Sequence, residues 1–98
     1  MLRIKTACGV GMGSSLILRM YTEDVLKKLG VEASVEAIDA AQARGANAEL
    51  ILCSPALVAT CTGGSAEAIG IHNFTDHDEI EEKLSDFLNR TGRMPGKE

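Results

Sequence analysis

The chain has 98 residues, of which 45% are hydrophobic and only 3% are aromatic, and its formal net charge at pH 7 is −4. This length allows one domain with a modest core of aliphatic side chains. The acidic balance, without a basic run, argues against nucleic-acid binding, and no apolar run is long enough to span a membrane. Nothing near Met1 resembles a signal peptide, and three cysteines do not suggest a disulfide framework. We therefore expect a cytoplasmic protein with reduced thiols.

The first third of the chain predicts a strand followed by a helix. Residues 1–6 alternate apolar and polar side chains, which is typical of a strand. A helical period then runs over residues 14–28, and Gly30 is placed to end that helix. The predicted buried stripe of this helix consists of Leu18, Tyr21, Val25 and Leu29, with Leu16 and Leu26 flanking it.

The middle third predicts two more strands. Residues 31–38 alternate strictly, as expected for a half-buried strand at a sheet edge. Asp39 is expected to cap a short helical turn over residues 40–43. Residues 49–53 form a short apolar run, which predicts a central parallel strand covered on both faces. Ser54 and Pro55 end that strand.

The last third predicts a loop, a strand and a helix. Residues 60–65 predict a flexible polar loop that holds Cys61 as a solvated thiol, whereas Cys53 is expected to be buried. Residues 67–71 predict a strand, and Thr75 or Asp76 caps the final helix. That helix is predicted to bury Ile80, Leu84, Phe87 and Leu88. The domain is expected to span residues 1–92, with a flexible tail over 93–98.

Alternating strands and helices predict an α/β fold with a parallel sheet and right-handed crossovers. Ligands bind such sheets at the carboxyl ends of the strands, near a topological switch point. Cys8 follows the first predicted strand, so it is expected at that edge of the sheet.

The stretch after Cys8 has the composition of an anion site. Its three glycines allow a tight turn with inward-pointing N–H groups, and the following helix adds N–H donors and a partial positive charge. A thiol beside such a cradle is favoured as the thiolate and should be nucleophilic. We therefore predict that Cys8 carries a phosphoryl group. The predicted phosphate-binding residues are Gly9, Val10, Gly11, Met12, Gly13, Ser14 and Ser15.

Other phosphate loops fit this stretch less well. A nucleotide-binding P-loop needs a lysine after its last glycine, but Gly13 is followed by Ser14. Counting from Cys8, Ser14 also occupies the arginine position of the C-x5-R loop of low-molecular-weight tyrosine phosphatases, which argues against a phosphatase. The missing arginine also disfavours a redox relay of Cys53 and Cys61 to Cys8, as in thioredoxin-coupled arsenate reductases.

Residues 8–20, C-G-V-G-M-G-S-S-L-I-L-R-M, resemble the cysteine loop and first helix of enzyme IIB components of the bacterial sugar phosphotransferase system. The resemblance is strongest to the ascorbate type, with the galactitol type as its nearest relative. It implies a four-stranded parallel sheet flanked by helices, a Rossmann-like three-layer sandwich with a cysteine phosphate loop after strand 1.

The same resemblance implies an activity and partners. Cys8 would accept a phosphoryl group from the phosphohistidine of a IIA protein and pass it to a sugar, L-ascorbate in that branch. The sugar would be held by a membrane-embedded IIC permease, with which the protein would associate. This is the activity of a protein-phosphocysteine–sugar phosphotransferase.

One alternative stays open, a regulatory or anion-sensing module that uses the same loop without passing the phosphoryl group on. No cofactor is expected, and no spacing of Cys and His indicates a metal site. His72 and His77 are each isolated in the sequence, so surface or capping roles are expected for them rather than phosphorylation.

Overall fold

The computed structural model describes residues 2–8, 13–62, 64 and 66–92, without the side chains of residues 8, 13–15, 40 and 44. The strands are β1 (Leu2–Cys8), β2 (Ala33–Asp39), β3 (Leu50–Cys53) and β4 (Glu67–Gly70). The α-helices are α1 (Gly13–Leu29), α2 (Val58–Cys61) and α3 (His77–Arg90), and 3₁₀ helices lie at Ala40–Gly45 and Pro55–Leu57. The tail predicted over residues 93–98 lies outside the described residues.

The four strands form one parallel sheet in the order β2-β1-β3-β4. The predicted edge position of the second strand and central position of the third are therefore confirmed. Strand β1 has β2 as its neighbour on one side and β3 as its neighbour on the other. The carboxyl end of β1 is thus the topological switch point, and Cys8 is its last residue.

One face of the sheet, here called the α1/α3 face, carries most of the aliphatic core. Alternate residues of β1 and β3 point into it, among them Ile4, Leu50 and Leu52. The four side chains predicted for the last helix are all buried against them, which confirms that prediction. At the side of this layer, the Tyr21 ring on α1 stacks on the His77 ring of α3 with their centroids 4.2 Å apart.

The opposite face, here called the short-helix face, is covered by the two 3₁₀ helices and α2. Its core consists mostly of small side chains, which are Ala7, Ala43, Ala48, Ile51, Cys53, Cys61 and Ala66. The cover lies very close to the sheet at Gly70, where an added Cβ would come within 2.9 Å of the Pro55 Cα. The three-layer arrangement is therefore confirmed, but its two outer layers are unequal.

The predicted end of the first helix is also confirmed. Gly30 has a φ of 75°, a conformation that glycine adopts without steric cost. Its N–H donates to the Lys27 carbonyl at 3.2 Å, and the Val31 N–H donates to the Leu26 carbonyl at 3.0 Å. These two bonds form a Schellman motif, which satisfies carbonyls at the helix end and turns the chain towards β2.

Both predicted helix caps are observed. Asp39 is the N-cap residue of the first 3₁₀ helix, and its backbone N–H donates to the Gln42 side-chain oxygen at 3.1 Å. Of the two candidates for the last helix, the structure selects Asp76, whose side chain accepts from the N–H groups of Asp78 and Glu79.

Two predictions about single residues are wrong. Cys61 is not a solvated loop thiol, because residues 58–61 close a helical turn that buries it completely in the short-helix face. Leu16 does not flank the buried stripe of α1 but is 43% exposed. Two residues of an α-helix turn through about 200°, so Leu16 points away from the side on which Leu18 is buried. No helix in the described ranges is long and apolar enough to cross a membrane.

Candidate functional site

The predicted site begins where β1 ends. Cys8 pairs with Asp39 on β2, and α1 starts at Gly13, so residues 9–12 connect the strand to the helix. The connecting residues Gly9, Val10, Gly11 and Met12 lie outside the described residues, as do the side chains of Cys8, Ser14 and Ser15. The phosphate-binding role of these residues therefore stays a prediction, and the structure describes the frame that holds them.

The first turns of α1 are suited to an anion near that connection. No acidic residue lies in the first turn, so no carboxylate there opposes the positive end of the helix dipole. Lys27 and Lys28 lie in the last turn, where their charges complement the negative end. The helix therefore starts beside the end of β1 with N–H groups that have no partner within the helix, and with a favourable dipole.

The outer surface of the same turns carries three large apolar side chains. Leu16, Ile17 and Met20 are 43%, 43% and 58% exposed, and we call these three side chains the α1 patch. Further along the helix, the exposed side chains of Asp24, Lys27 and Lys28 are charged. Adjacent exposed apolar side chains of this size are typical of a surface that contacts another macromolecule.

A polar cluster that sequence reasoning missed lies after β4, at the same edge of the sheet. Glu79 of α3 accepts hydrogen bonds from the backbone N–H groups of His72 and Asn73, at 2.7 and 2.9 Å, and from the Lys83 ammonium at 2.8 Å. Its side chain is 14% exposed. Burial by itself would raise the pKa of Glu79, but these hydrogen bonds outweigh it and lower the pKa to about 2. Glu79 is therefore a carboxylate at neutral pH and holds the loop over residues 71–76 against α3.

The same carboxylate orients the imidazole of His72. Its Nδ1 lies 3.0 Å from Glu79 Oε2, while 76% of the His72 side chain is exposed. Because a carboxylate oxygen only accepts hydrogen bonds, this contact is a hydrogen bond when Nδ1 carries the hydrogen. The available sequence signal was a glutamate at the third position of a helix, where its side chain can reach back over the helix start.

The second histidine has a packing role. His77 is the first residue of α3, stacks on Tyr21, and lies 3.6 Å from a carboxylate oxygen of Asp24. It joins the start of α3 to α1, and its surroundings differ from those of His72.

The two cysteines with described side chains are both buried in the short-helix face. Cys53 was predicted to be buried, and this is confirmed. Burial raises the pKa of the Cys53 thiol to about 12, and the neighbouring Cys61 thiol adds to the effect. Cys53 is therefore an un-ionised and poor nucleophile at neutral pH. Among the residues that the structure describes, no group of three or more His, Cys, Asp or Glu side chains could hold a metal ion.

Two comparisons relate the chain to known proteins. Residues 3–86 match the family model for the lactose/cellobiose-specific IIB subunit of the PTS system, the phosphotransferase system. The chain is also similar to the ascorbate-specific PTS system EIIB component of Mycoplasma pneumoniae (strain ATCC 29342 / M129 / Subtype 1), with 36% identity over 90 residues. That alignment covers 89% of this chain and 95% of the relative. The family match includes Cys8, β1 from its second residue, the other three strands and most of α3.

Proposed function

The chain belongs to the family of IIB subunits of the sugar phosphotransferase system, and from this premise we propose that Cys8 is the residue that carries the phosphoryl group. A IIB subunit is a phosphocarrier, so the protein receives a phosphoryl group and passes it on. The observation that carries the proposal is the position of Cys8 at the carboxyl end of β1, at the switch point of the sheet and just before α1. The other two cysteines are buried on the short-helix face.

The proposed phosphate-binding groups are the backbone N–H groups of residues 9–15 and the hydroxyls of Ser14 and Ser15. The start of α1 at Gly13 supports this role, because the first N–H groups of a helix have no partner within the helix. The lack of an acidic side chain in that turn also favours an anion.

The proposed reaction has two steps. In the donor step, the Cys8 thiolate attacks the phosphorus of a phosphohistidine on the IIA partner, an S–P bond forms and the N–P bond breaks. In the acceptor step, a sugar hydroxyl oxygen attacks the same phosphorus, and the electron pair of the breaking S–P bond returns to Cys8. Both steps need in-line positioning and charge stabilisation more than covalent assistance.

We propose L-ascorbate as the sugar, presented by a membrane-embedded IIC permease. The ascorbate assignment rests on the similarity to the ascorbate-specific component of Mycoplasma pneumoniae and on the resemblance of residues 8–20. The α1 patch supports a protein partner near the site, since it exposes apolar side chains within two turns of the loop. The protein would work in the cytoplasm, beside the permease.

The donor step can be tested with phosphorylated IIA protein and three forms of the chain, the wild type, Cys8→Ser and Cys61→Ser. We expect the wild type and Cys61→Ser to gain one phosphoryl group by intact mass, and Cys8→Ser to gain none. Phosphorylated Cys8→Ser protein, or a phosphoryl group mapped to His72 or His77, would contradict the assignment.

A test of the acceptor step distinguishes a phosphocarrier from an anion-sensing module. Phosphorylated wild-type protein is mixed with membrane vesicles that contain the IIC partner, and L-ascorbate or galactitol is added. Transfer to L-ascorbate alone supports the proposal. Transfer to galactitol alone would change the assigned sugar but would support the role as a phosphocarrier. A phosphoryl group retained with both sugars favours the anion-sensing alternative.

A further inference from the structure

Cys53 and Cys61 form a pair of free thiols in the core of the short-helix face. Cys53 is the last residue of β3, and Cys61 is the last residue of α2. Both side chains are completely buried, and both belong to the same cluster of small side chains. The Cys61 sulfur lies within hydrogen-bonding reach of the Cys53 thiol. The fold therefore brings together two thiols from different elements.

The closed state protects this pair from oxidation. Burial raises the pKa of the Cys53 thiol to about 12, and the neighbouring Cys61 thiol adds to the effect, so Cys53 is not ionised at neutral pH. A thiol reacts with an oxidant as the thiolate, and an oxidant in solvent does not reach a completely buried sulfur. Oxidation therefore requires that one of the two thiols first becomes exposed.

The two thiols differ in how firmly their backbone is held. Cys61 ends a helix of four residues, and a helix of this length has little stability of its own. The turn that follows is closed by the Thr62 N–H and hydroxyl, which donate to the Val58 carbonyl at 2.9 and 2.7 Å. Cys53 lies in the sheet, and its carbonyl accepts from the Ile71 N–H at 2.7 Å. Local unwinding of α2 therefore exposes Cys61 while Cys53 stays in place.

We propose that Cys53 and Cys61 form a reversible disulfide, a redox-sensitive link between β3 and α2 that does not depend on the proposed function. While α2 is unwound, the Cys61 thiolate attacks hydrogen peroxide, an S–O bond forms, the O–O bond breaks and one water leaves. When α2 closes, the Cys53 sulfur attacks the Cys61 sulfur, an S–S bond forms and the S–O bond breaks. The oxygen leaves as a second water with the Cys53 proton.

The electrons of this reaction balance. The two sulfurs together lose two electrons, which reduce one peroxide to two waters. A dithiol such as dithiothreitol reverses the link by thiol–disulfide exchange and is itself oxidised to a disulfide. Where disulfides occur in reducing compartments, they are usually transient and redox-sensing in this way.

The test treats the native wild type with hydrogen peroxide, blocks the remaining thiols with iodoacetamide in urea, and digests the protein with trypsin. Cleavage after Arg44 and Lys83 leaves Cys53 and Cys61 on one peptide that does not contain Cys8. We expect this peptide to be unalkylated and lighter than its reduced form by two hydrogen atoms. Dithiothreitol added before the blocking step should restore alkylation at both cysteines.

The control for this mapping is Cys53→Ser, in which Cys61 has no partner and should gain oxygen instead of a link. Three outcomes in the wild type would overturn the inference. They are a disulfide between Cys8 and either buried cysteine, oxygen added to Cys61 without a link, and a peptide that stays reduced after Cys8 is fully oxidised.

The opening of α2 is tested by a glycine in its exposed part. Ala59→Gly weakens this helix without touching either thiol, so the disulfide should form roughly 2–5-fold faster than in the wild type. Ala41→Gly, at an exposed position of the first 3₁₀ helix, is the matched control and should leave the rate unchanged. Equal acceleration in both variants would mean that oxidation follows unfolding of the whole domain, and would overturn the inference.

Thermal unfolding of the oxidised protein tests whether the native fold accommodates the link. A disulfide that joins two residues already in contact constrains the unfolded chain more than the folded one. The oxidised wild type should therefore unfold at a Tm at least about 5 °C above that of the reduced protein. An oxidised protein with the lower Tm would show that the two cysteines are not placed to be linked, and would overturn the inference.

Discussion

The two faces of the sheet are covered in different ways. The α1/α3 face is covered by helices of 17 and 14 residues and packs leucine, isoleucine and phenylalanine side chains. The short-helix face is covered by segments of three to six residues and packs mainly alanine and cysteine. Apolar burial grows with side-chain area, so the first face contributes most of the hydrophobic stabilisation. The second face packs closely because its side chains are small. Substitutions that add atoms there should therefore lower the stability of the protein.

The largest effect is expected for a large-to-small substitution in the α1/α3 face. Leu18→Ala should lower the free energy of unfolding by about 2–5 kcal/mol, because Leu18 is completely buried and its removal leaves a cavity. The same substitution at Leu16, which is 43% exposed on the same helix, should change it by less than about 0.5 kcal/mol. Urea unfolding of both variants measures the difference, and equal losses would mean that α1 is packed on a different side.

A substitution that adds one methyl group should reveal the tight packing of the short-helix face. Gly70→Ala adds a Cβ that would lie 2.9 Å from the Pro55 Cα and 3.1 Å from the Val58 Cγ2, so we expect a loss of about 1–3 kcal/mol. Gly45→Ala is the control, since nothing lies within 4 Å of its added Cβ. Thermal unfolding of the pair tests this, and a neutral Gly70→Ala would show that the cover shifts without cost.

A smaller effect is expected where Glu79 ties the loop after β4 to the helix layer. Glu79→Gln should lower the unfolding free energy by about 1–2 kcal/mol at pH 7, because the amide cannot replace a charged acceptor of several hydrogen bonds. The pKa of Glu79 is lowered from 4.5 to about 2, so its contribution is fully present above pH 4.5. That contribution is lost as the pH falls through about 2.

Urea unfolding of Glu79→Gln between pH 2 and pH 7 measures this dependence. The gap from the wild type should be constant above about pH 5 and should close towards pH 2. Glu81→Gln, which removes an exposed ion pair to Lys28, is the control and should show almost no gap. A gap for Glu79→Gln that does not change with pH would contradict the proposed role of its charge.

The smallest signal is expected from the thiols of the short-helix face. In the native protein at neutral pH, iodoacetamide should leave Cys53 and Cys61 unmodified, because both are fully buried and the pKa of Cys53 is raised to about 12. Peptide mass mapping should find the label on Cys8, and phosphate should slow that labelling if residues 9–15 bind anions. Cys8→Ser protein should stay unlabelled until urea unfolds it. Rapid labelling of Cys61 in the native state would show that the short helices over this face open and expose the thiol.

The periodic parts of the sequence predicted the fold well. The buried stripe of α3, the apolar run of β3 and the glycine that ends α1 depend on local patterns, and each is observed. The order β2-β1-β3-β4 depends on pairing between distant residues, which local patterns do not specify. Cys61 was misplaced because threonine, glycine and serine around it are typical of loops, whereas tertiary packing forms a short helix there.

The position of the candidate site was predicted more fully than its surroundings. Cys8 is at the end of β1 because the strand pattern stops where the glycines begin, and this position is observed. The link between His72 and Glu79 was missed, because it forms only once α3 packs beside β4. The loop over residues 9–12 stays a prediction.

The contact between Lys83 and the Gly70 carbonyl also protects the molecule from its own copies. Strand β4 is an edge strand, and its backbone groups alternate in direction, with Glu67 and Ile71 bonded to the β3 side. The Gly70 carbonyl therefore faces outwards, where an extended segment of another chain could pair with it. A lysine ammonium bound to that carbonyl occupies the acceptor and sets a charge beside the open edge, which opposes strand addition and aggregation. This one side chain therefore makes the β4 edge less suited to pairing with a strand of another molecule.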